Sequence, residues 1–418
     1  MKRSHLIHLT IFTAAFLVRF VGMPPPIVLV GDEEAYHNLA VSLTEGHGSR
    51  LEGQTYSRPP LYAFFLAGIY RLFGVGNFKA VHLTQSFLGA SVCNLIYAMA
   101  SRIFTPTVAL VAATAAIFNL SLAAASARLL SECLFTFFLV SAFLFLQIGK
   151  EKEAALPVAG FFLALSVLSR AVVLLLPFAV GAVWILGEGR KGIRKAALVI
   201  GVFLLVLLPL AVRNYSVYRR FVPVSTQGGY AFYNSYHPED GKFFGFNAVD
   251  ETTARADRLG SETAKSDYLF RETLKGIREN PFRTARLEIL KFLYFWAPFD
   301  WEVRGEGRYQ FVYGFLFPFF ILGSFWARGR RMFLLIPVLY ALALALVFYG
   351  SPRLRLPTEP FILILGALGL VETFRRSPHR AMAVGVVVSL LAVHVIVGCH
   401  PIGARRFLGR SLERVGVW

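Results

Sequence analysis

Three carboxylates in a row, Asp32-Glu33-Glu34, stand just past the first apolar segment of the chain, with Tyr36 two residues on. A carboxylate held beside a reacting hydroxyl can take its proton as the oxygen attacks, which supplies about 10²- to 10⁴-fold of rate. Any of the three has the chemistry for this. The competing role for Asp32 is to cap a helix starting here, and for Glu33 and Glu34 to form a solvated helix face. A fourth acidic residue, Glu132, lies at the outer end of an apolar run, where a carboxylate is costly enough to be a functional candidate in its own right. It follows Arg128 by four residues, so the plainer expectation is an intrahelical ion pair, which would also hold the carboxylate ionised.

Basic residues recur between the apolar runs: Arg58, Arg170, Arg213, Lys291, and the pair Arg353 and Arg355 braced by Pro352 and Pro357. In a water-poor pocket such groups can take up the charge of an anion. The bland alternative for each is a lipid headgroup contact or snorkelling. His37, His47 and His237 show no ligand spacing, so no dedicated metal site is expected. Cys93 and Cys133 lie within apolar runs and Cys399 near the end of one, which argues against a disulfide framework.

The elements that must position these groups follow from composition. With 56% apolar and 16% charged residues and a mean hydropathy of +0.57, the 418-residue chain is too apolar for water. A hydrocarbon core of roughly 30 Å takes about 20 helical residues to cross. Spans are expected near 6–22, 78–103, 106–125, 128–147, 154–169, 171–187, 195–212, 309–327, 332–350, 356–372 and 381–398. The fold class is therefore an all-α polytopic membrane protein of about eleven spans, with interfacial helices and a smaller mixed α/β external region. Three parts are expected: an N-terminal transmembrane module over 1–213 with a first external loop at 23–77, an external region over 214–308, and a C-terminal module over 309–418.

The net charge of +18 does not mark a nucleic-acid binder, because the basic residues are scattered between apolar segments rather than gathered on a solvated face. The 214–308 region is nearly neutral, with 13 of the 25 acidic residues and 14 basic ones. The excess sits in short clusters: Lys2 and Arg3; Arg190, Lys191, Arg194 and Lys195; Arg328, Arg330 and Arg331; Arg375, Arg376 and Arg380. These fall on alternate loops, so the positive-inside rule places them and the N-terminus in the cytoplasm, and 23–77, 214–308 and 351–355 outside. Eleven spans would leave the C-terminus outside as well, against which the tail residues Arg405, Arg406, Arg410 and Arg414 weigh. The first span reads as an uncleaved signal anchor.

Within 23–77, the acidic turn and the apolar set Tyr36, Leu39, Ala40 and Leu43 predict a short interfacial helix with Asp32 at its N-cap. The run from 61 to 73 after Arg58-Pro59-Pro60 predicts a partly embedded helix. Within 214–308, a strand is expected at 221–224, a turn at Gly228-Gly229, and a helix over 262–280 stopped by Pro281. Residues 287–296, with Lys291 embedded, predict an interfacial helix, and Phe292, Tyr294, Phe295, Trp296 and Trp301 an aromatic belt.

Taken in order, these pieces resemble a family. Gly31-Asp32-Glu33-Glu34-Ala35-Tyr36, Gly46-His47-Gly48, Arg58-Pro59-Pro60-Leu61-Tyr62 and Leu72-Phe73-Gly74 are similar to the first external loop of GT-C glycosyltransferases. The nearest branch is that of bacterial proteins similar to protein O-mannosyltransferases and the lipid A aminoarabinose transferase. Ser131-Glu132, Leu168-Ser169-Arg170, Arg213-Asn214-Tyr215, 221–226 before Gly228-Gly229, and 353–357 continue the pattern over nearly the whole chain. No single piece is specific; the ordered set is.

The resemblance implies a GT-C type bundle in the plasma (inner) membrane with its active site facing outside. It implies inverting transfer of a sugar from a polyprenyl-phosphate donor to a hydroxyl acceptor on a protein, glycolipid or polysaccharide. Spacing to Tyr36 aligns Asp32 with the family's general base, with Glu33 adjacent, and Glu132 with an acidic residue facing the catalytic cavity. The basic residues, Arg353 and Arg355 first, would receive the phosphate. Some members use a divalent cation, so the resemblance leaves one open as cofactor. The alternatives are a transporter or lipid flippase, which would show paired interrupted spans, and a scaffold using 214–308 to bind a partner. Membrane lipids are partners in every case, and nucleic acid in none.

Overall fold

The computed structural model describes residues 2–399, apart from residues 27, 49, 52–53, 56–57, 238–249, 301–307, 328, 330 and 378–379. Trp301, Arg328, Arg330 and the tail arginines Arg405, Arg406, Arg410 and Arg414 lie outside the described residues. The chain is a bundle of antiparallel helices with short helices collected at one end. Helix α1 (Lys2–Phe20) leads into α2 (Asp32–Thr44) and α3 (Leu61–Phe73), which cover that end. Helices α4 (Phe78–Ile103), α5 (Pro106–Phe118), α6 (Leu120–Ala124), α7 (Glu132–Ile148), α8 (Leu156–Ser169), α9 (Leu176–Glu188) and α10 (Arg190–Tyr218) complete the first module. Then come α11 (Gly228–Tyr236), α12 (Glu251–Asp257), α13 (Glu262–Glu279) and α14 (Pro281–Trp296), and the closing set α15 (Phe311–Trp326), α16 (Arg331–Val347), α17 (Pro352–Arg355), α18 (Glu359–Arg376) and α19 (Arg380–Cys399).

Among the described residues, four helices are long and apolar enough to cross a membrane unaided: Phe78–Ile103, Ala171–Glu188, Arg190–Tyr218 and Pro352–Arg376. Eight shorter apolar helices stand beside them, one being the half-length helix expected at 61–73. The chain is a multi-pass membrane protein. Helix α18 is the most enclosed of the long four and α10 the most open, which puts α18 in the centre and α10 against lipid. Side-chain caps start several elements: Asn77 accepts from the Ala80 N–H ahead of α4, and Thr105 from the Val108 N–H ahead of α5, with Pro106 at the first helical position. The crossing of α15 on α18 depends on glycine. A Cβ on Gly323 would lie 1.9 Å from the Leu365 carbonyl oxygen, and one on Gly369 1.9 Å from that of Phe319.

Four expectations differ from what is seen. The span expected at 106–125 breaks at Asn119, whose side chain caps α6 and donates to Glu359 at 2.8 Å. The span expected at 128–147 starts only at Glu132, because 125–131 is a series of turns; Arg128 and Glu132 therefore share no helix. Residues 221–224 form no strand, since Pro223 has no N–H and the carbonyls of Val222 and Val224 accept from the Asn214 side chain. Gly228-Gly229 is not a turn but the start of α11, and Gly229 sits so close to Ser266 that a Cβ would meet its carbonyl oxygen at 1.9 Å. The described part of 214–308 is thus mainly helical. Its two-residue strand Phe299–Asp300 pairs with Arg308–Tyr309, and the other such pair joins Arg50–Leu51 to Gln54–Thr55.

The two ends of the bundle differ in kind. At one end sit the pairs Arg102 with Glu151, Arg194 with Glu153, and Arg376 with Glu372, the last two drawn from basic clusters. At the other end meet the starts of α2, α7 and α17 and the end of α8.

Candidate active site

Gly31 caps α2 at φ +60° and ψ −117°, a backbone that glycine adopts without strain, and no side chain caps the helix. Asp32 is the first helical residue, not the cap the sequence predicts, and its carboxylate is engaged elsewhere. Arg58, just ahead of α3, donates to its Oδ1 at 2.8 Å, and Arg353, in α17, to its Oδ2 at 2.8 Å. Arg353 also gives its Nε–H to Glu132 Oε1, and the same oxygen accepts from Arg170, which directly follows α8. Five residues from five separate segments form one chain: Arg58, Asp32, Arg353, Glu132, Arg170. Its two carboxylates and three guanidiniums carry one net positive charge at the rim of an apolar bundle, which suits it to an anion.

The two carboxylates differ. Glu132 is buried, and its Oε2 makes no hydrogen bond. Asp32 keeps 32% of its side chain exposed. Burial works to raise the Asp32 carboxyl, but Arg353 and then Arg58 outweigh it and hold the group well below the usual carboxylate range. Tyr36, one turn on, packs edge-on against Tyr62 at 4.9 Å and under the Arg58 guanidinium at 5.4 Å.

Glu33 faces the other way. It is 1% exposed, not solvated, and its Oε1 accepts from Arg128 Nε at 2.8 Å and from the Leu129 N–H at 3.3 Å. Arg128 is thus paired with Glu33 and not with Glu132, its expected neighbour. Glu34 is exposed. The turns at 125–131 are also held by Gln85, which donates to the carbonyls of Ser126 and Arg128 and accepts from the Tyr62 hydroxyl.

Arg355 does not join the cluster. It is fully buried, and all five of its N–H groups have partners: Glu359 Oε1 twice, the Phe295 and Ala297 carbonyls, and Gln310 Oε1, with its guanidinium 3.6 Å from the Tyr313 ring centroid. Lys291 donates to Glu288 and to the Leu346 carbonyl, 3.6 Å from the Tyr236 ring centroid. Arg213 donates to Asn214 Oδ1 at 2.9 Å at the end of α10. These three share the site's end of the bundle but make these contacts apart from Asp32. Sequence reasoning missed Glu359, although a glutamate four residues after an arginine at the head of an apolar span carries a signal. It also missed Gln85, for which sequence carries none. Among the described residues, no three His, Cys, Asp or Glu side chains converge as metal ligands would.

Residues 57–213 match the family described as dolichyl-phosphate-mannose-protein mannosyltransferase. The fold matches an oligosaccharyltransferase from Archaeoglobus fulgidus solved with zinc and sulfate, at a TM-score of 0.56 and 16% identity, over 94% of this chain and 52% of that one. It matches an archaeal oligosaccharyltransferase of the same organism, AglB, bound to an inhibitory peptide and a dolichol-phosphate, at 0.52 and 15%, over 95% and 55%. The chain shares the fold of these solved enzymes, and over residues 57–213 it is similar in sequence to the matched family. It spans about half the length of the solved oligosaccharyltransferases. A looser likeness links it to the ArnT of Cupriavidus metallidurans, at a TM-score of 0.44 and 14% identity over 90% of this chain and 79% of that one. No curated protein matches it in sequence. The stretch that matches the mannosyltransferase family takes in Arg58, Glu132 and Arg170, while Asp32 and Arg353 are added by segments on either side of it.

Proposed function

We propose that the chain is an inverting glycosyltransferase that moves a sugar from a polyprenyl-phosphate carrier to a hydroxyl acceptor at the non-cytoplasmic face of the membrane. The observation that carries this reading is the bridge from Asp32 through Arg353 to Glu132, with Arg58 and Arg170 at its ends. Asp32 takes the proton of the attacking hydroxyl. Direct attack with one base and no enzyme nucleophile inverts the anomeric centre. Arg353, with Arg58 and Arg170, meets the departing phosphate, whose charge grows as the bond breaks. Glu132 holds Arg170 and Arg353 in place for it. Arg213, half-buried at the end of α10, lies on the same face, where it would meet headgroup or carrier, whereas Lys291 is buried against Glu288 and the Leu346 carbonyl.

Two further observations support it. Arg194, Arg375 and Arg376, from two of the basic clusters, lie at the opposite end of the bundle from Asp32, which under the positive-inside rule favours an external site and a cytoplasmic N-terminus. The solved enzyme of like fold binds a dolichol-phosphate, a lipid of the proposed donor class.

The test is transfer from a panel of radiolabelled polyprenyl-phosphate sugars by membranes containing the full chain. Label should pass from at least one donor to a membrane acceptor, and Asp32→Asn at equal expression should lower the rate about 10²- to 10⁴-fold. Full activity in that variant overturns Asp32 as base. Failure with every donor overturns the reading as a whole.

A further inference from the structure

Asp32 as it stands cannot serve as a base. Both of its oxygens are occupied by guanidiniums, Oδ1 by Arg58 and Oδ2 by Arg353. Arg353 and Arg58 also hold the group so far below the ordinary carboxylate range, against burial, that it has little drive to take a hydroxyl's proton. One of these partners has somewhere else to go. Arg353 is already bound through Nε to Glu132, whose second oxygen is buried and makes no hydrogen bond. A swing of the Arg353 guanidinium away from Asp32 would keep one carboxylate contact and gain an unused acceptor, at little electrostatic cost.

Building on the glycosyltransferase reading, we propose that the donor's phosphate group itself unmasks the base: it competes with Asp32 for Arg353, draws that guanidinium onto phosphate and Glu132, and frees Asp32 Oδ2 for the acceptor hydroxyl. The site is locked when no donor is bound and becomes basic when one is. In the step that follows, the acceptor oxygen bonds to the anomeric carbon and its proton passes to Asp32 Oδ2. The bond from the anomeric carbon to the phosphate oxygen breaks, and its electron pair stays on that oxygen, facing Arg353. Glu132 is a positioning residue in this scheme, acting through Arg353.

Competition for one guanidinium has a signature that needs no turnover. The probe is farnesyl phosphate, a short-chain polyprenyl phosphate, titrated onto the full chain in nanodiscs. Wild type, Asp32→Asn, Arg353→Gln and the double variant are compared. Asp32→Asn should bind about tenfold more tightly than wild type, since the phosphate no longer displaces a carboxylate from Arg353. Arg353→Gln should bind more weakly, and the double variant should match Arg353→Gln. Unchanged or weaker binding by Asp32→Asn overturns the proposal. So does an equal gain from Asp32→Asn in the Arg353→Gln background, which would mean plain charge repulsion. Asp32→Ser replaces Asp32→Asn if the latter does not run as a folded species on size exclusion. A folded wild type that binds no farnesyl phosphate overturns the donor reading and this proposal together; one that binds it indifferently to Asp32 overturns this proposal alone.

Discussion

Glu33 and Arg128, separated by 95 residues in sequence, meet at 2.8 Å and fasten the first turn of α2 to the turns ahead of α7. Since Asp32 opens α2 and Glu132 opens α7, this buried pair sets the spacing of the two carboxylates that share Arg353. Glu33→Ala should cost about 1.5–3 kcal/mol, because it removes the buried carboxylate that accepts from Arg128 Nε and the Leu129 N–H, and Glu33→Gln should cost less. The measurement is thermal unfolding in detergent, followed by size exclusion. A Glu33→Ala chain as stable as wild type would show that the pair does not hold α2.

Glu132 is the counter-charge for both Arg170 and Arg353. Glu132→Ala strands Arg170 and leaves Arg353 with Asp32 alone, and should lower stability by roughly 3–5 kcal/mol. Glu132→Gln keeps the shape and a hydrogen-bond acceptor, so it should fold while losing most transfer activity. Comparing the melting temperatures and transfer rates of the two variants separates the structural from the chemical effect.

Arg355 should behave unlike Arg353. Its donors are all taken by Glu359, Gln310 and two carbonyls around the start of α18, so Arg355→Ala would leave buried acceptors unmet and should abolish accumulation of the folded chain. Arg353→Ala should accumulate at near-normal level with little activity. Membrane abundance of the two variants, quantified by immunoblot, checks this. Equal abundance would overturn the division of labour between the two arginines.

Lys291 predicts a pH effect of known sign. Burial pulls its amine down, against the pull of Glu288, to about 8 from an ordinary 10.5. Between those values the unfolded chain binds a proton that the folded chain does not, so this group's contribution to stability rises with pH from about 8 to 10.5 and is flat below that window. The rise is at most ~3 kcal/mol, less what solvent screening removes. Lys291→Met should flatten the rise, read as the difference in melting temperature between variant and wild type at pH 7.5 and pH 9.5. A difference that does not change between those two pH values would refute it.

The apolar runs, the acidic triplet and the basic turns were legible in sequence because each is a local pattern. Span 78–103 coincides with α4, and the half-length helix at 61–73 with α3, since hydropathy and helix length are set within one segment. The breaks were not legible. Asn119 interrupts a span because Glu359, far along the chain, accepts from it, and 125–131 unwinds where Glu33 and Gln85 supply the partners that helical carbonyls and amides would otherwise have had.

Sequence alone determined that this chain lives in a membrane, which residue types could carry its chemistry, and at which ends of which apolar segments they stand. Tertiary structure alone decided the pairings. Arg353 went to Asp32 and Glu132 while Arg355, two residues on, went to Glu359, and Arg128 crossed to Glu33 instead of serving the glutamate four residues ahead. The physical reason is that a charge at the edge of an apolar bundle must find its counter-charge. Which one it finds depends on where the packed backbone places the ends of distant helices, and no local pattern records that.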